Sequence, residues 1–378
     1  MVDSVSGVQV YSYDGRALSS PRFPGLRVDL LSPSAISLGP DCVAIVDKSD
    51  GKTVRVFDVR TGNGVGTPVV HDAEVTSVAL SQHAMGLPNR MLAFIDSNND
   101  MFVTPVLVHK PVKVLSMVDS CAWNDVSDML AACADGNLVT WLYPWGLYVD
   151  PDLDSHTKIT EAAPQLGKLP QITTFYGTRV QARRGDGALV TMAVKPHPPL
   201  LYEFVAAARW DEAVRLARFC KEESLWGALA GMALHANHLD TAEVALAALN
   251  EVDKLHFILH IKDIPAAAGR NSQLALYKRN PDEAEKILLQ ANPPMVYRAI
   301  KLNIELFRWH RALDLAQQHR VHVATVAGYR QRFMTGLGRK ESDPRFTGLD
   351  VEVDWAAIKA AKAEEKAKER RHLGYGAA

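Results

Sequence analysis

His256 and His260 have the spacing best suited to metal binding in this sequence. Imidazoles four residues apart share one face of a helix, where they could hold zinc if a third ligand joined them. A Phe-Ile-Leu run separates them, so the glutamate that acts as the base in an H-E-x-x-H metalloprotease is missing. We therefore interpret the pair as histidines on a helix surface, and we interpret His235 and His238 in the same way.

The sequence also lacks two common signatures of nucleotide binding and catalysis. There is no G-x-x-x-x-G-K-[ST] loop and no G-x-S-x-G nucleophile elbow. The glycine-rich residues 62–66 lie between two strand-like runs, without the helix whose N-terminus would bind phosphate. His319 and His322 lie near a predicted helix end, and we interpret them as partners of the helix dipole. We predict no catalytic, cofactor-binding or metal site, and no enzymatic activity.

A cluster of basic residues near the end of the helical half raises the question of nucleic-acid binding. Tyr329 and Phe333 are interleaved with its members, which are Arg320, Arg330, Arg332, Arg339 and Lys340. The 378-residue chain has a formal net charge of −1, so its overall field does not attract nucleic acid or an anionic membrane. We interpret the cluster as a solvated helix face or a protein-binding surface, and we predict no nucleic-acid partner.

The composition is that of an ordinary globular protein with room for two domains. Hydrophobic residues make up 47% of the chain and charged residues 22%. The four cysteines form no C-x-x-C pair, which favours buried free thiols in a reducing compartment. We find no secretory signal and no stretch long and apolar enough to span a bilayer, so we predict no membrane insertion.

The first half of the sequence alternates short apolar runs with turn residues, a pattern typical of β-strands. Asp-Gly is a strong hairpin signal because glycine accepts the positive φ that a tight turn needs. Five turns are predicted, at Asp14-Gly15, Asp50-Gly51, Asn98-Asn99-Asp100, Asp135-Gly136 and Asp186-Gly187.

The spacing of these turns favours a WD-type propeller over a β-sandwich with several hairpins. From Asp14 to Asp186 is 172 residues in four intervals, a mean of 43, and propeller blades repeat at roughly 40–45 residues. Phe57-Asp58 and Trp141 fall where a blade would carry its Trp-Asp dipeptide. About four to five blades are expected over residues 1–197, as a small ring or as an open, incomplete propeller in a chain that begins partway through a longer one.

From residue 198 to 335 alanine and leucine dominate, and a helical phrase is repeated. RWDEAVRLA begins at Arg209 and RWHRALDLA at Arg308, and each places Trp and Ala on one helix face. Two weaker copies lie between them, and the aligned alanines are 29, 42 and 28 residues apart. The mean of these three intervals is 33 residues. Because tetratricopeptide solenoids repeat at roughly 34 residues, we favour a solenoid over an unrelated α-bundle. The structural repeat positions are Trp210, Ala213, Ala217, Ala242, Ala284, Trp309, Ala312 and Ala316.

These patterns predict a β + α multidomain chain. A partial or open WD-type β-propeller occupies residues 1–197, and a tetratricopeptide-like α-solenoid occupies residues 198–335, with an irregular insert near residues 262–265. Residues 336–378 are predicted to form a linker and a charged C-terminal helix or tail, in which Asp354 caps the helix that starts at Trp355. Beyond Trp355 and Ile358 this helix has no apolar stripe, so we expect it to be solvated or frayed, with partner binding as the alternative.

Several phrases follow one another through the helical half. They are SLWGALAGMA at 224–233, TAE at 241–243, EVDK at 251–254, YRAIKLNI at 297–304, RWHRALDLA at 308–316, HVATV at 322–326, YRQRF at 329–333 and VDW at 353–355. In this order they resemble the C-terminal part of the intraflagellar transport protein 80 family, subunits of complex B. Over the first half the similarity is limited to WD-like strands. Family members carry two propellers before the helical repeats, so the resemblance implies part of the second propeller followed by the helices.

The resemblance implies a non-enzymatic scaffold or adaptor of intraflagellar transport complex B, needed for cilium assembly and for transport along ciliary microtubules. It implies other complex B subunits as partners, and a location in the cytoplasm and the cilium or flagellum, including the basal body region. It implies no cofactor, and homo-oligomerisation stays open. A vesicle-coat or tethering scaffold is the alternative, because such proteins also join WD propellers to α-solenoids.

Overall fold

The computed structural model describes residues 1–3, 7–83, 86–349 and 353–372. The chain divides into two compact units, Met1–His235 with Asp240–Asn250, and Ala236–Leu239 with Glu251–Ala378. The strands are Val2–Asp3 (β1), Gly7–Val8 (β2), Val10–Tyr11 (β3), Ala17–Ser19 (β4), Ile36–Leu38 (β5), Cys42–Asp47 (β6), Thr53–Asp58 (β7), Val69–Val70 (β8), Val75–Leu80 (β9), Met91–Asp96 (β10), Met101–Pro105 (β11), Val112–Leu115 (β12), Val118–Trp123 (β13), Leu130–Ala134 (β14), Asn137–Trp141 (β15), Lys158–Ala162 (β16), Gln171–Tyr176 (β17), Arg179–Arg183 (β18) and Leu189–Ala193 (β19).

The helices are Gly146–Val149 (α1), Asp154–Thr157 (α2), His197–Ala206 (α3), Trp210–Cys220 (α4), Glu223–His235 (α5), Leu239–Ala248 (α6), Val252–Lys262 (α7), Ala267–Tyr277 (α8), Pro281–Gln290 (α9), Val296–Glu305 (α10), Trp309–His319 (α11), Val323–Gly336 (α12), Pro344–Thr347 (α13) and Trp355–His372 (α14). Single 3₁₀ turns lie between some of the strands. None of the helices within the described ranges is both long enough and apolar enough to cross a membrane.

The strands of the first unit form a series of antiparallel sheets. Three of them have four strands in sequence order, and we name them blade A (β5–β8), blade B (β9–β12) and blade C (β13–β16). Blade D has three strands, β17–β19, and two-stranded pairs, β1–β2 and β3–β4, precede blade A. Among the described residues no sheet closes on itself, so the prediction of a partial or open WD-type propeller is confirmed.

All five predicted turns are hairpin turns in the structure. They join β3 to β4, β6 to β7, β10 to β11, β14 to β15 and β18 to β19. In blades A to D this is always the connection between the second and third strands, which explains why the signal appears once per blade. Gly136 and Gly187 have φ of 74° and 88°, a region in which a side chain would be strained. Asn99 takes the left-handed position of its own turn, with φ of 60°.

The core of the first unit lies between neighbouring blades. The leading strand of each blade packs on the blade before it: β9 on β5 and β6, β13 on β9 and β10, and β17 on β13 and β14. Because a central blade is covered on both faces, its strands are apolar on both faces. Every residue of β6 and of β10 is buried. Phe57 and Trp141, the predicted Trp-Asp positions, are 5% and 1% exposed; Phe57 is the next-to-last residue of its third strand and Trp141 the last.

One buried arginine joins blade A to blade B. Arg90, 1% exposed, lies directly before β10 and donates to both carboxylate oxygens of Asp41, at 2.9 and 3.0 Å. Asp41 lies directly before β6. The guanidinium also donates to the carbonyl oxygens of Ser81 and His83, each at 2.7 Å. Asp128 lies two residues before β14 of blade C and is 2% exposed. Charge-assisted bidentate bonds are among the strongest in proteins, so Arg90 fastens the two blades at this end.

Blade C carries an insertion between its third and fourth strands. Residues 142–157 separate β15 from β16 and contain helices α1 and α2. The insertion lengthens the last interval between predicted turns to 51 residues, from Asp135 to Asp186. It packs against helix α5.

Four helix hairpins carry the repeated phrase, namely α3–α4, α5–α6, α8–α9 and α10–α11. In each, a non-glycine residue with positive φ precedes the second helix: Ala208 (55°), Asn237 (58°), Arg279 (57°) and Phe307 (56°). These residues are spaced by 29, 42 and 28, as are the predicted alanines. In the last hairpin the amide of Arg308 donates to the carbonyl of Asn303 at 2.8 Å, as in a Schellman cap. The left-handed turns thus repeat at the same intervals as the predicted alanines.

The interval of 42 residues between Ala242 and Ala284 differs from our prediction of an irregular insert. Most of its extra length is an ordered helix, α7, and only residues 263–266 connect it to α8. A whole added helix keeps the next hairpin in phase, because α8 again ends in a left-handed residue two positions before α9. The sequence of α7 is apolar at Ile258 and Ile261, which are fully buried.

The charged tail begins as a docked helix. Asp354 accepts a hydrogen bond from the amide of Ala356 at 2.8 Å, as predicted for a helix cap. Ile358 is 5% exposed and packs on α12 at Gly328, where an added Cβ would lie 2.9 Å from Ile358 Cδ1. The first turn of α14 is therefore docked through Ile358, while the expectation of a solvated helix concerns the residues beyond it. Residues 350–352 and 373–378 of the predicted tail lie outside the described residues.

Candidate interaction surfaces

Helix α5 lies against the insertion of blade C at close range. A Cβ added to Gly231 would lie 2.9 Å from Tyr143 Cδ1, and one added to Gly227 would lie 2.9 Å from His156 Cβ. The two glycines are four residues apart and therefore share one face of the helix. This smooth face lets the backbone of α5 approach the insertion more closely than any side chain would allow.

Polar contacts fix the same interface. The hydroxyl of Tyr143 and Nδ1 of His235 are 2.7 Å apart, and the hydroxyl of Tyr202 donates to the carbonyl of Leu142 at 2.8 Å. Burial raises the pKa of both tyrosines, so their hydroxyl groups stay protonated. Helices α3 and α5 are therefore built onto the propeller half rather than separated from it.

A cleft of about 520 Å³ opens beside α4, α5 and α6. Its lining is mostly polar and includes two cations, and it is formed by Arg218, Lys221, Glu223, Trp226, Ala248, Leu249 and Asn250. The neighbouring ring of Phe219 is 82% exposed. An exposed aromatic ring next to Arg218 in the sequence is a combination enriched at protein-binding faces.

The predicted repeat positions form the seams between helices. Ala213, Ala217, Ala242, Ala284, Ala312 and Ala316 are all 0% exposed. Trp309 is 7% exposed and packs with its neighbours in the core of the second unit. Trp210 differs from this expectation: it begins α4 and is only partly buried.

The basic cluster is partly structural. Arg330 donates to Glu341 at 2.7 Å and lies over the rings of Trp309 and Phe346, at 5.5 and 5.3 Å from their centroids. Arg332 lies 5.9 Å from the ring centroid of Trp355. Arg330 and Arg332 therefore pack against aromatic rings, and Arg330 is also paired with Glu341.

The histidines of the sequence occupy separate places. His256 and His260 are exposed on α7, and the described residues contain no group of three or more potential metal ligands. His319 lies in the last turn of α11, consistent with a role beside the helix dipole. His322 was assigned the same role wrongly, since it is the N-cap of α12, and burial lowers its pKa.

Burial keeps three of the thiols protonated, and the glycine-rich stretch is a loop. All four cysteines are free, and two of them, Cys42 and Cys133, are buried. Burial raises the pKa of Cys42, Cys121 and Cys133 to about 12, so these thiols are not ionised near neutral pH. The glycine-rich residues 62–66 lie between β7 and β8, as expected for a loop.

Two features of the surface were not predicted. The docking of α5 had a local signal, because Gly227 and Gly231 are four residues apart in a helix where glycine is unfavourable. The exposure of Phe307 had no sequence signal, because a phenylalanine in a helical repeat could equally be buried.

Four-stranded blades followed by helix hairpins with buried alanine seams define the class of propeller-and-repeat proteins. Two family models match the chain, "IFT80 second beta-propeller" over residues 1–197 and "IFT80/172/WDR35/WDR19 TPR domain" over residues 225–371. The chain belongs to the intraflagellar transport protein 80 family, which confirms the resemblance seen in the helical phrases.

Curated relatives agree with this assignment. The intraflagellar transport protein 80 homologs of Rattus norvegicus and Mus musculus are each 40% identical to the chain over 379 residues, covering 98% of it. The chain spans about half of their length, 48% in each case. Intraflagellar transport protein osm-1 of Caenorhabditis elegans is 25% identical over 324 residues, which is 77% of this chain and 17% of that protein.

Proposed function

We propose that the chain is a non-enzymatic scaffold of intraflagellar transport complex B, supporting cilium assembly and transport along ciliary microtubules. The observation that carries the proposal is membership of the intraflagellar transport protein 80 family through both the blades and the repeats. Blades provide a rigid surface and stacked hairpins an extended one, and both can bind proteins without catalysing a reaction.

The expected partners are other complex B subunits, and the expected location is the cytoplasm and the cilium or flagellum, including the basal body region. The exposed ring of Phe219, next to Arg218 in the sequence, supports binding of protein. Raised thiol pKa values support the absence of cysteine nucleophiles.

The test is native purification of the tagged chain from ciliated cells, with imaging of the same cells. Complex B subunits should co-purify in stoichiometric amounts, and the tag should lie along cilia. Recovery of vesicle-coat subunits instead, with the tag on membranes, would favour the tethering alternative and contradict the proposal.

A further inference from the structure

Phe307 combines two unfavourable properties at one position. Its φ is 56°, in the left-handed region that bulky residues rarely adopt, and its side chain is 61% exposed. The equivalent turns hold Ala208, Asn237 and Arg279, so the hairpin does not require an aromatic residue. Glycine or asparagine would form the same turn with less strain. Backbone strain of this kind is a reason to look for function.

The ring belongs to an apolar patch on the second unit. Its centroid lies 5.1 Å from that of Phe333 on α12. Leu306 and Leu337 are 41% and 54% exposed, and the amide of Leu337 donates to the carbonyl of Phe333 at 3.1 Å, one helical turn away. We call these four residues, Leu306, Phe307, Phe333 and Leu337, the aromatic patch. Leu306, Phe307 and Leu337 are exposed and Phe333 is partly buried, and neighbouring exposed apolar side chains mark interaction sites.

The rim of the aromatic patch carries surplus positive charge. Arg339 and Lys340 follow Leu337, and within the described residues neither makes an ion pair. The carboxylates nearby are already engaged, since Glu305 pairs with Lys301 at 3.0 Å and Glu341 pairs with Arg330 at 2.7 Å. A partner that covers the aromatic patch therefore meets two unmatched cations, which favours an acidic sequence.

We propose that the aromatic patch and its basic rim bind an acidic amphipathic helix of a partner protein. The described residues of the second unit form helices and no strand, so they offer no sheet edge to an extended peptide. An amphipathic helix can place apolar residues at i, i+3, i+4 and i+7 on the aromatic patch and its carboxylates beside Arg339 and Lys340. The inference rests on the proposed scaffold role and adds the chemistry of one partner segment.

The experiment measures binding of two designed peptides to the purified full chain by fluorescence anisotropy. Each peptide is a helix of about 18 residues with Leu and Phe at the anchor positions, and the remaining positions are Glu in one and Lys in the other. We expect the acidic peptide to bind at least about tenfold more tightly than the basic one. Equal affinity for the two peptides, or no binding of the acidic one, overturns the proposal.

Phe307→Asn tests the ring itself, because asparagine tolerates the left-handed turn. Affinity for the acidic peptide should fall about tenfold or more, while the Tm stays within about 2 °C of the parent. Arg279→Asn places the same residue in the equivalent turn before α9, and it should leave binding unchanged. Unchanged binding with Phe307→Asn, or an equal loss with Arg279→Asn, contradicts the proposal.

A charge reversal tests the basic rim without changing a buried residue. Arg339→Glu combined with Lys340→Glu changes only exposed side chains, so the fold should be retained. The ratio of the affinities for the acidic and the basic peptide should then shift toward the basic peptide. An unchanged ratio contradicts the proposal. If these variants still co-purify with complex B subunits, the scaffold function stands whatever the peptides show, and the two ideas can be judged separately.

Discussion

At the scale of single residues, the first unit keeps a carboxyl group where water does not reach it. Asp128 is 2% exposed, and burial raises its pKa to about 7, against the opposing influence of the Arg90 charge. Arg90 already donates to both oxygens of Asp41, so it does not neutralise Asp128 fully. The position therefore makes the stability of the propeller half depend on pH.

The first prediction concerns Asp128→Asn. In the unfolded chain the carboxyl has a pKa of about 3.9, so folding favours its protonated form. Its stabilising contribution is complete below that pKa and is lost as pH rises through about 7. Asparagine does not ionise. Between pH 5 and pH 8 the free energy of unfolding of the variant should therefore rise relative to that of the parent by on the order of 2–3 kcal/mol.

Thermal or denaturant unfolding of parent and variant at several pH values measures this gain. A difference between the two proteins that does not change with pH would contradict the prediction, because it would show a packing effect and no titration of Asp128.

The second prediction concerns Gly231→Ala. The added Cβ would lie 2.9 Å from the ring of Tyr143, which is buried and bonded to His235, so the ring has little room to move. Overpacking of this kind destabilises by about 1–3 kcal/mol. Denaturant unfolding measures the change.

Gly336→Ala is the matched control for this substitution. Gly336 ends α12 and has nothing within 4 Å of a built Cβ, so alanine should be neutral or stabilise by about 0.5–1 kcal/mol. If Gly231→Ala behaves like Gly336→Ala, the close approach of α5 is not a constraint.

At the scale of elements, the repeat is built from a tryptophan, two alanines and a left-handed turn, but the tryptophan differs between copies. Trp309 packs in the core of the second unit at 7% exposure, whereas Trp210 at the start of α4 is partly buried. The small alanines are buried equally in both copies. The two copies of the phrase therefore share their sequence, but their tryptophans differ in burial.

The third prediction follows from that difference. Trp309→Ala should lower the free energy of unfolding by about 3–5 kcal/mol, because it removes a nearly buried ring from a packed core. Trp210→Ala should lower it by less, since part of that ring is already in water. Equal losses in denaturant titrations of the two variants would mean that exposure does not govern the effect.

Elements with a local signal were predictable from the sequence, and elements defined by distant neighbours were not. The Asp-Gly turns and the Asn98–Asp100 turn need a left-handed residue whatever surrounds them, so all five predicted turns join paired strands. The outer strands β8, β12 and β16 carry no such turn and depend on pairing with the strand beside them. The insertion of blade C, the order in α7 and the docking of α14 likewise depend on tertiary packing.

The candidate surfaces also divide into features with a local sequence signal and features set by distant neighbours. The alanine seams were predicted by periodicity, because a buried small residue repeats at the helical period. The aromatic patch was not, because Phe333 and Leu337 of α12 meet Phe307 only through the fold. The basic cluster was predicted as one surface, but Arg330 is held by Glu341 and two rings.

At the scale of the whole molecule, the change from strands to helices does not coincide with the compact units. The sequence changes character near residue 197, and the first family model ends there. The first compact unit continues through α3, α4 and α5 and includes Asp240–Asn250. Helix α5 is packed on the insertion of blade C, so part of the helical half completes the fold of the blades.

The fourth prediction compares two fragments of the chain. Residues 1–250 should unfold in one cooperative transition at a higher temperature than residues 1–197. The shorter fragment lacks α5 and leaves Tyr143 and the carbonyl of Leu142 without the contacts made by His235 and Tyr202. Circular dichroism melts with a dye that binds exposed apolar surface measure both effects, and identical melts with identical dye binding would contradict the prediction.

The guanidinium of Arg90 also has a mechanical consequence. Its two hydrogen bonds to Asp41 cross to blade A from one rigid planar group and so share any load between blades A and B, while its bonds to the carbonyls of Ser81 and His83 hold the group within blade B. Bonds that act in parallel break together, whereas bonds in series unzip one at a time. A force that shears these two blades should therefore meet a stiff, brittle joint that yields in a single step.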